Sequence, residues 1–177
     1  GFGNAETNNI GNVTAISTLA PYPDLAITDL VVPATGLPGQ PVPITWAVTN
    51  QGNGPATGVW TESISLSTDS LIGGDQLLTN VLQNLSLAPG QTLTWTQMVT
   101  LPSAITGSRF VVVATDTSGQ VFELIETNNA AISASSIQLL NPDLSVEAVS
   151  VAPNAQFGQT LPVSWTVRNA GTSPASS

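Results

Sequence analysis

Residues 126–144 read ETNNAAISASSIQLLNPDL, and the two ends of this stretch decide how the chain is organised. Its first four residues occur earlier as ETNN at 6–9, and its last three occur earlier as PDL at 23–25. When one motif recurs at the end of a unit and another recurs at the start of the next, the stretch between them marks a junction between repeats. The sequence therefore predicts a tandem array.

A constant offset of 119 residues extends the second match. Residues 23–58 aligned with residues 142–177 give 13 identities in 36 positions. The identical pairs include Gly39/Gly158, Gln40/Gln159, Trp46/Trp165, Asn50/Asn169, Gly52/Gly171 and Pro55/Pro174. We predict three parts: the last strand of a preceding repeat in 1–20, a complete repeat in 21–141, and the first two strands of a following repeat in 142–177.

Short β-prone runs divide the complete repeat into seven predicted strands. Apolar residues alternate with polar ones, and proline and glycine separate the runs, as in antiparallel sheets. The predicted strands are Asp24–Val32, Val42–Asn50, Val59–Ser67, Leu77–Leu87, Thr92–Leu101, Ser108–Thr115 and Ala130–Leu139. Seven short strands indicate an antiparallel β-sandwich. We prefer the sandwich to a barrel because repeats that chain into a rod need their two ends at opposite poles.

Two strand assignments have consequences for the core and the ends. Glu62 falls in phase with Trp60 and Ile64, so we expect it near the solvated end of its strand. The run Ile10 to Leu19 reads as a strand, and we expect it to be hydrogen-bonded along a sheet edge. A lone strand and the two strands of 142–177 cannot bury an apolar face by themselves. We therefore expect a longer chain in a repetitive extracellular assembly.

The charge of the chain excludes one class of partner. Only 7% of the residues are charged, the only cations are Arg109 and Arg168, and the net charge is −9. Such a chain repels a phosphate backbone, so we expect no nucleic-acid partner. A surface solvated by Ser, Thr, Asn and Gln is typical of exported bacterial proteins. No apolar run reaches the length of a membrane span.

The residue types that usually carry catalysis are scarce. The chain has no His, Lys or Cys, and Tyr22 is the single Tyr. It therefore has no imidazole base, amine or thiol nucleophile, and no disulfide. We predict that the chain is not an enzyme.

The motifs of the complete repeat together resemble the CARDB domain, the cell-adhesion-related domain found in bacteria. The residues that carry the resemblance are Pro23-Asp24-Leu25, Gly39-Gln40, Trp46-x-Val48-x-Asn50-x-Gly52, Trp60, Leu66-Ser67-Thr68-Asp69, Gly74-Asp75, Leu87-Ala88-Pro89-Gly90 and Asp116…Val121-x-Glu123-x-x-Glu126-x-Asn128-Asn129. The resemblance implies an immunoglobulin- or fibronectin-like sandwich on large exported proteins, with a role in adhesion or surface structure and no catalytic residue.

Acidic residues cluster in two loops and are the candidate metal ligands. One loop supplies Asp69 and Asp75; the other supplies Asp116, Glu123, Glu126 and Asn128. Carboxylate and amide oxygens suit Ca²⁺, although the spacing is not that of an EF-hand. The alternative is that these side chains cap turns by accepting backbone N–H bonds. Since the loops should lie at opposite poles, a cation could be shared only between successive repeats.

The four tryptophans offer a second candidate site. Trp46, Trp95 and Trp165 are in phase with aliphatic residues, so we expect them in the core. Trp60 begins a strand beside a loop, and is the one to test for exposure as a platform for surface glycans.

The function predicted from these features is a structural or adhesive repeat module of an exported bacterial protein. Its expected partners are neighbouring repeats or other copies in a fibre or surface array. The alternative is a carbohydrate-binding accessory module of a larger secreted hydrolase. No cofactor is expected other than the Ca²⁺ considered above.

Replacing Trp46 by Ala tests the register assigned to the second predicted strand. We expect the variant to lose about 3–5 kcal/mol of unfolding free energy, because truncating a buried Trp leaves a large cavity. Denaturation followed by circular dichroism measures the loss. A melting temperature lowered by only a degree or two would show that Trp46 is exposed.

Overall fold

The computed structural model describes residues 11–175, which fold entirely as strands, turns and extended segments. Nine strands build the complete unit: β1 (Leu25–Val31), β2 (Thr35–Gly36), β3 (Pro41–Asn50), β4 (Ala56–Ser67), β5 (Gln76–Leu87), β6 (Thr92–Thr100), β7 (Ser108–Ala114), β8 (Ala130–Ile132) and β9 (Ile137–Leu139). Two more, β10 (Leu144–Val151) and β11 (Val163–Asn169), form a separate hairpin. Within residues 11–175 there is no helix that could cross a membrane.

The nine strands form two sheets that pack face to face. The first sheet has the order β1-β3-β6, and every pairing in it is antiparallel. The second has the order β2-β9-β7-β4-β5, with β8 also paired to β7. The pairing of β2 with β9 is parallel. The fold is an all-β sandwich, as the sequence predicts.

The unit has nine strands and not the predicted seven, because the closing strand is divided and the short β2 forms within the predicted turn. At Ser133 the chain leaves the ladder: its N–H donates to the carbonyl of Val111 (2.8 Å), and its hydroxyl accepts the N–H of Val111 (3.0 Å). The same hydroxyl donates to the carbonyl of Ser135 (2.8 Å). After this bend the chain re-enters the sheet as β9 and takes the short β2 as a new neighbour.

The core lies between the sheets and follows the predicted alternation. On β3 the side chains of Ile44, Trp46 and Val48 are buried, and Trp46 stacks on Trp95 of β6 with ring centroids 6.3 Å apart. Burial of these apolar faces is the main favourable term that holds the sheets together.

The expectation for Glu62 is wrong. Its side chain is 0% exposed and lies between the sheets, where Trp46 Nε1 donates to its Oε2 (2.7 Å). Trp60 is 0% exposed as well. The strand continues for several residues before Trp60, because β4 begins at Ala56. Glu62 is therefore in the middle of the strand, far from a solvated end.

A buried Asn50 side chain closes the unit at the start of β1. Its Oδ1 accepts the N–H groups of Asp24 (3.1 Å) and Gly52 (3.0 Å). Its Nδ2 donates to the carbonyls of Gly54 (2.8 Å) and Leu87 (2.9 Å). We call this arrangement the asparagine clasp. It satisfies four backbone groups that the strands leave unpaired.

The hairpin of β10 and β11 repeats the clasp at an offset of 119 residues. Asn169 Oδ1 accepts the N–H groups of Asp143 and Gly171, both at 2.9 Å, and its Nδ2 donates to the carbonyl of Ser173 (2.8 Å). Gly171 is required because a Cβ there would collide with the carbonyl oxygen of Asn141. A Cβ at Gly52 would meet the equivalent backbone oxygen of the complete unit.

The hairpin also repeats the register of β1 on β3. Equivalent pairs are Leu25–Asn50 and Leu144–Asn169, Ile27–Val48 and Val146–Val167, and Val31–Thr45 and Ser150–Ser164. Both ladders contain one irregularity between the second and third of these pairs. Equivalent residues 119 positions apart thus form equivalent strand pairs in the two ladders.

The predicted strand over Ile10 to Leu19 is not formed. Ile10 lies outside the described residues, and residues 11–20 are extended, fully exposed and in no sheet. The expected pairing along a sheet edge is therefore wrong for residues 11–19. Its apolar side chains Val13, Ile16 and Leu19 are left exposed, and within residues 11–175 no strand edge pairs with the run.

Candidate functional site

The two acidic loops lie at opposite poles of the sandwich. The leading pole, where the chain enters the unit, is formed by residues 21–24, 51–54 and 116–129. The trailing pole is formed by residues 68–75 and 101–107. This is the separation expected from the sequence.

Asp116 shapes the beginning of the leading-pole loop. Its backbone has a positive φ of 42°, and its two carboxylate oxygens accept the N–H groups of Gln120 and Val121, both at 2.8 Å. These bonds turn the chain so that Val121 is buried in the core. Asp116 therefore acts as a turn cap.

Glu123 fastens the same loop to the first strand. Its side chain is only 4% exposed. Its Oε1 accepts the backbone N–H of Leu25, and its Oε2 accepts from Asn129 Nδ2 at 2.6 Å. One carboxylate thus joins the starts of β1 and β8.

Two neighbouring contacts complete the arrangement. Asn128 Nδ2 donates to Asp24 Oδ1 at 2.7 Å, which ties the loop to the segment before β1. Asn129 Nδ2 also lies 3.3 Å from Glu126 Oε2. Four of the predicted site residues, Asp116, Glu123, Glu126 and Asn128, are therefore brought to one pole.

The environment of Glu123 favours its protonated form. Burial raises the pKa of this carboxyl to about 7, and the charges of Glu126 and Asp116 raise it as well. The hydrogen bonds from Leu25 and Asn129 act in the opposite direction, because they stabilise the ionised form. Desolvation is the dominant effect.

Most carboxylate oxygens of this loop accept hydrogen bonds, whereas Asn128 Oδ1 and Asn129 Oδ1 are buried without a partner. Both carboxylate oxygens of Asp116 and of Glu123 already accept N–H groups. Within residues 11–175 no three Asp or Glu side chains are grouped as metal ligands would be. Capping is the role that the geometry displays, and Ca²⁺ binding by these residues stays a prediction for calorimetric titration to test.

The trailing-pole acids cap their own loop in the same manner. Asp69 Oδ1 accepts the N–H of Leu71 (2.9 Å), and Asp75 Oδ2 accepts the N–H of Gly73 (2.9 Å). Arg109 lines the same small pocket. The Ca²⁺ prediction for Asp69 and Asp75 likewise remains open.

Two of the four tryptophans are not where the sequence analysis considered them: Trp60 is not exposed, and Trp165 is not in the core. Trp60 is buried, so it cannot be an exposed platform for glycans. Trp95 is partly buried against the core, whereas Trp165 is 65% exposed on the hairpin. Trp165 is exposed because no second sheet covers the hairpin face within the described residues.

Comparison with protein families gives one match that covers more than half of the chain. The CARDB family profile matches residues 22–133. A comparison with curated proteins gives no match.

Two solved structures share the fold. One is the CARDB domain of a Pyrococcus furiosus protein, solved in complex with di-metal ions. It is 20% identical, covers 69% of this chain and 97% of its own, and gives a TM-score of 0.52. The other is a domain of a candidate cell-surface protein from Methanosarcina acetivorans. It is 21% identical, covers 67% of this chain and 93% of its own, and gives a TM-score of 0.51. At these identities the likeness is one of fold alone.

Replacing Glu123 by Gln tests the electrostatics of the leading pole. A carboxyl with a raised folded-state pKa contributes stability that is complete below its ordinary value of 4.5 and is lost as the pH rises through about 7. E123Q loses one of the two acceptors for Leu25 and Asn129 at every pH. We therefore expect the stability of E123Q relative to the wild type to rise by about 1–2 kcal/mol between pH 4.5 and pH 8.

Chemical denaturation at pH 4.5 and pH 8 measures this difference. Glu147→Gln, an exposed change on the hairpin, is the matched control and should leave the pH dependence unaltered. An E123Q variant with the wild-type pH dependence would contradict the assignment.

Proposed function

We propose, from the premise that this chain belongs to the CARDB family, that it is a non-enzymatic repeat module of an exported bacterial surface or extracellular protein. Its units work by repetition. Stacked sandwiches give reach, and weak contacts multiplied along an array give avidity.

The observation that carries the proposal is the second copy of the asparagine clasp. Asn50 and Asn169, 119 residues apart, bind equivalent backbone groups, and the strands they close have the same register. Two unrelated hairpins would not be expected to share one clasp and three equivalent residue pairs at one constant spacing. This supports residues 142–177 as the beginning of a following repeat.

The exposed face of the hairpin supports the same conclusion. Paired residues such as Val149 and Trp165 point to one side, and this side is apolar. Its exposed members are Leu144, Val146, Val149, Val151, Val163, Trp165 and Val167. The equivalent face of β1 and β3 is buried beneath β4 and β7. An apolar face of this kind needs a covering sheet.

The location at the cell surface rests on the family and the composition. CARDB is a family of cell-surface-associated domains, and the Methanosarcina relative comes from a candidate cell-surface protein. The chain solvates its surface with uncharged polar residues, and only 7% of its residues are charged. We propose neighbouring repeats as its partners. A glycan-binding role receives no support from Trp60, which is buried.

A fusion that completes the second unit tests the repeat. Ser177 is equivalent to Gly58, so residues 59–141 of the same chain are appended after Ser177. We expect a second cooperative unfolding transition and a blue shift of Trp165 fluorescence, because the added strands would cover the hairpin face. Tryptophan emission during urea unfolding records both changes.

The matched control is the same fusion with Asn169→Ala and Gly171→Ala, which removes the second clasp and leaves the first intact. It should retain only the transition of the complete unit. If the unmodified fusion also unfolds in one transition, with Trp165 still solvated, the hairpin is not the start of a repeat.

Labelling of the source cells tests the location. An antibody raised against the complete unit should bind intact cells as strongly as permeabilised ones. Signal that appears only after permeabilisation would contradict a surface or extracellular role.

A further inference from the structure

A polar cluster lies in the centre of the sandwich core and has no part in the proposed repeat function. Its centre is Glu62 of β4, which is 0% exposed. Trp46 of β3, Gln83 of β5, Trp60 of β4 and Thr115 at the end of β7 face its carboxyl group. Both sheets therefore contribute to one buried hydrogen-bonding group.

The contacts leave three atoms of this cluster without partners. Glu62 Oε2 accepts from Trp46 Nε1 at 2.7 Å and from Gln83 Nε2 at 3.4 Å. Glu62 Oε1, Trp60 Nε1 and Thr115 Oγ1 are buried and make no hydrogen bond. Buried polar atoms are rarely left unsatisfied, since each costs its full desolvation free energy.

We propose that Glu62 is a neutral carboxylic acid in the folded protein. In this form Oε1 carries the proton and donates it in a hydrogen bond to Thr115 Oγ1. The same oxygen accepts from Trp60 Nε1, while Oε2 keeps the bond from Trp46. An ionised carboxylate could accept from the same Trp60 and Thr115 donors, so these three atoms alone do not choose between the two forms. The complete burial of Glu62 without a neighbouring cation favours the neutral acid.

The charges around the cluster favour this assignment. All four side chains that face the carboxyl are uncharged. The acid next to Thr115, Asp116, turns its carboxylate to the N–H groups of Gln120 and Val121. Arg109 donates to the carbonyl of Ser108, and Arg168 lies 3.4 Å from Glu147 on the hairpin. Neither cation compensates a buried charge at Glu62.

An ionised carboxylate at this position would be costly. Transfer of an unpaired charge into a protein core is unfavourable by far more than transfer of a neutral acid, so such groups retain a proton instead. Burial, the largest effect, accordingly raises the pKa of Glu62 above its ordinary value of 4.5, against the lowering effect of the facing side chains of Trp46, Gln83, Trp60 and Thr115.

The neutral acid links the packing of the two sheets to pH. Because the folded-state pKa lies above the unfolded one, the stability contributed by the proton is complete below pH 4.5 and is lost as the pH rises through the folded-state value. Ionisation would place a charge at the contact between Trp46 and β4. Alkaline conditions should therefore loosen the sandwich at its centre.

Carbon-13 NMR of the glutamate carboxyl groups in the full wild-type chain tests the protonation directly. The Glu62 signal is identified by its absence from the spectrum of Glu62→Gln. We expect it to keep the chemical shift of a protonated acid at pH 6, where the glutamate of a short reference peptide is ionised. A Glu62 signal that is already at the ionised position at pH 6 would overturn the proposal.

The stability of the Glu62→Gln variant gives an independent measurement. The amide that it introduces is neutral at every pH and keeps an oxygen for Trp46 and a donor for Thr115, while the contact with Trp60 Nε1 loses its acceptor. We expect E62Q to fold, to match the melting temperature of the wild type at pH 4.5 within a few degrees, and to exceed it at pH 8. An E62Q chain that is unfolded at pH 4.5 would also overturn the proposal, because a neutral isostere should replace a neutral acid.

Thr115→Val removes the acceptor of the proposed bond without changing the shape of the site. It should move the Glu62 titration to lower pH, because the protonated form loses its partner. Thr94→Val, on the exposed face of β6, is the control and should leave the Glu62 titration in place. A Glu62 titration that is unchanged in the Thr115 variant, or that moves to higher pH because Thr115 had donated to the ionised form, would exclude Thr115 as the acceptor and with it the proposed geometry.

Discussion

The unit depends on one constraint: a buried amide must hold the beginning of the first strand against the turn that follows the third strand. The Asn50 amide does this with both of its polar atoms. Its Oδ1 accepts the N–H of Asp24, and its Nδ2 donates to the carbonyls of Gly54 and Leu87. Because these groups come from three separate segments, the clasp holds those segments together at the leading pole. The acidic loop of residues 116–129 is then fastened to the same pole through Glu123 and Asp24. The geometry of these loop contacts therefore depends on the clasp.

The strands were predictable where periodicity and burial agree. Ile44, Trp46 and Val48 alternate with polar residues, and β3 occupies nearly the predicted range. The prediction was wrong for Glu62, because a charged residue in phase with apolar ones is normally placed at a solvated end. Its partner, Trp46, is 16 residues away on another sheet, and no local pattern indicates such a pair. Contacts between the sheets, and not the local sequence pattern, accompany the burial of Glu62.

The closing strand and the first segment differed from expectation for a similar reason. The division between β8 and β9 depends on the Ser133 hydroxyl, which replaces a backbone partner of Val111. The run that ends at Leu19 has strand propensity, but a strand exists only when another edge accepts its hydrogen bonds. Propensity describes what a segment can do, and its neighbours determine whether it does so.

The candidate site was predictable as a group of residues and not as a set of contacts. Their positions in the sequence place Asp116, Glu123 and Asn128 in one loop. It cannot reveal that Glu123 binds the backbone of Leu25, which is 98 residues away. A clearer signal was available in the Asn-x-Gly pairs at 50–52 and 169–171. Their recurrence at a fixed spacing, together with the exclusion of a Cβ at Gly52 and Gly171, points to a close backbone approach.

The short parallel pairing of β2 with β9 has a mechanical consequence. Gln138 and Leu139 of β9, with the following Leu140, donate backbone hydrogen bonds to Ala34, Gly107 and Gly36 at 2.9 Å each. These hydrogen bonds are perpendicular to the strand, so tension along the chain after Leu140 loads them in shear. Hydrogen bonds loaded in shear must break together, whereas bonds loaded in an unzipping geometry break one at a time. Tension on the chain after Leu140 would therefore load these three bonds together.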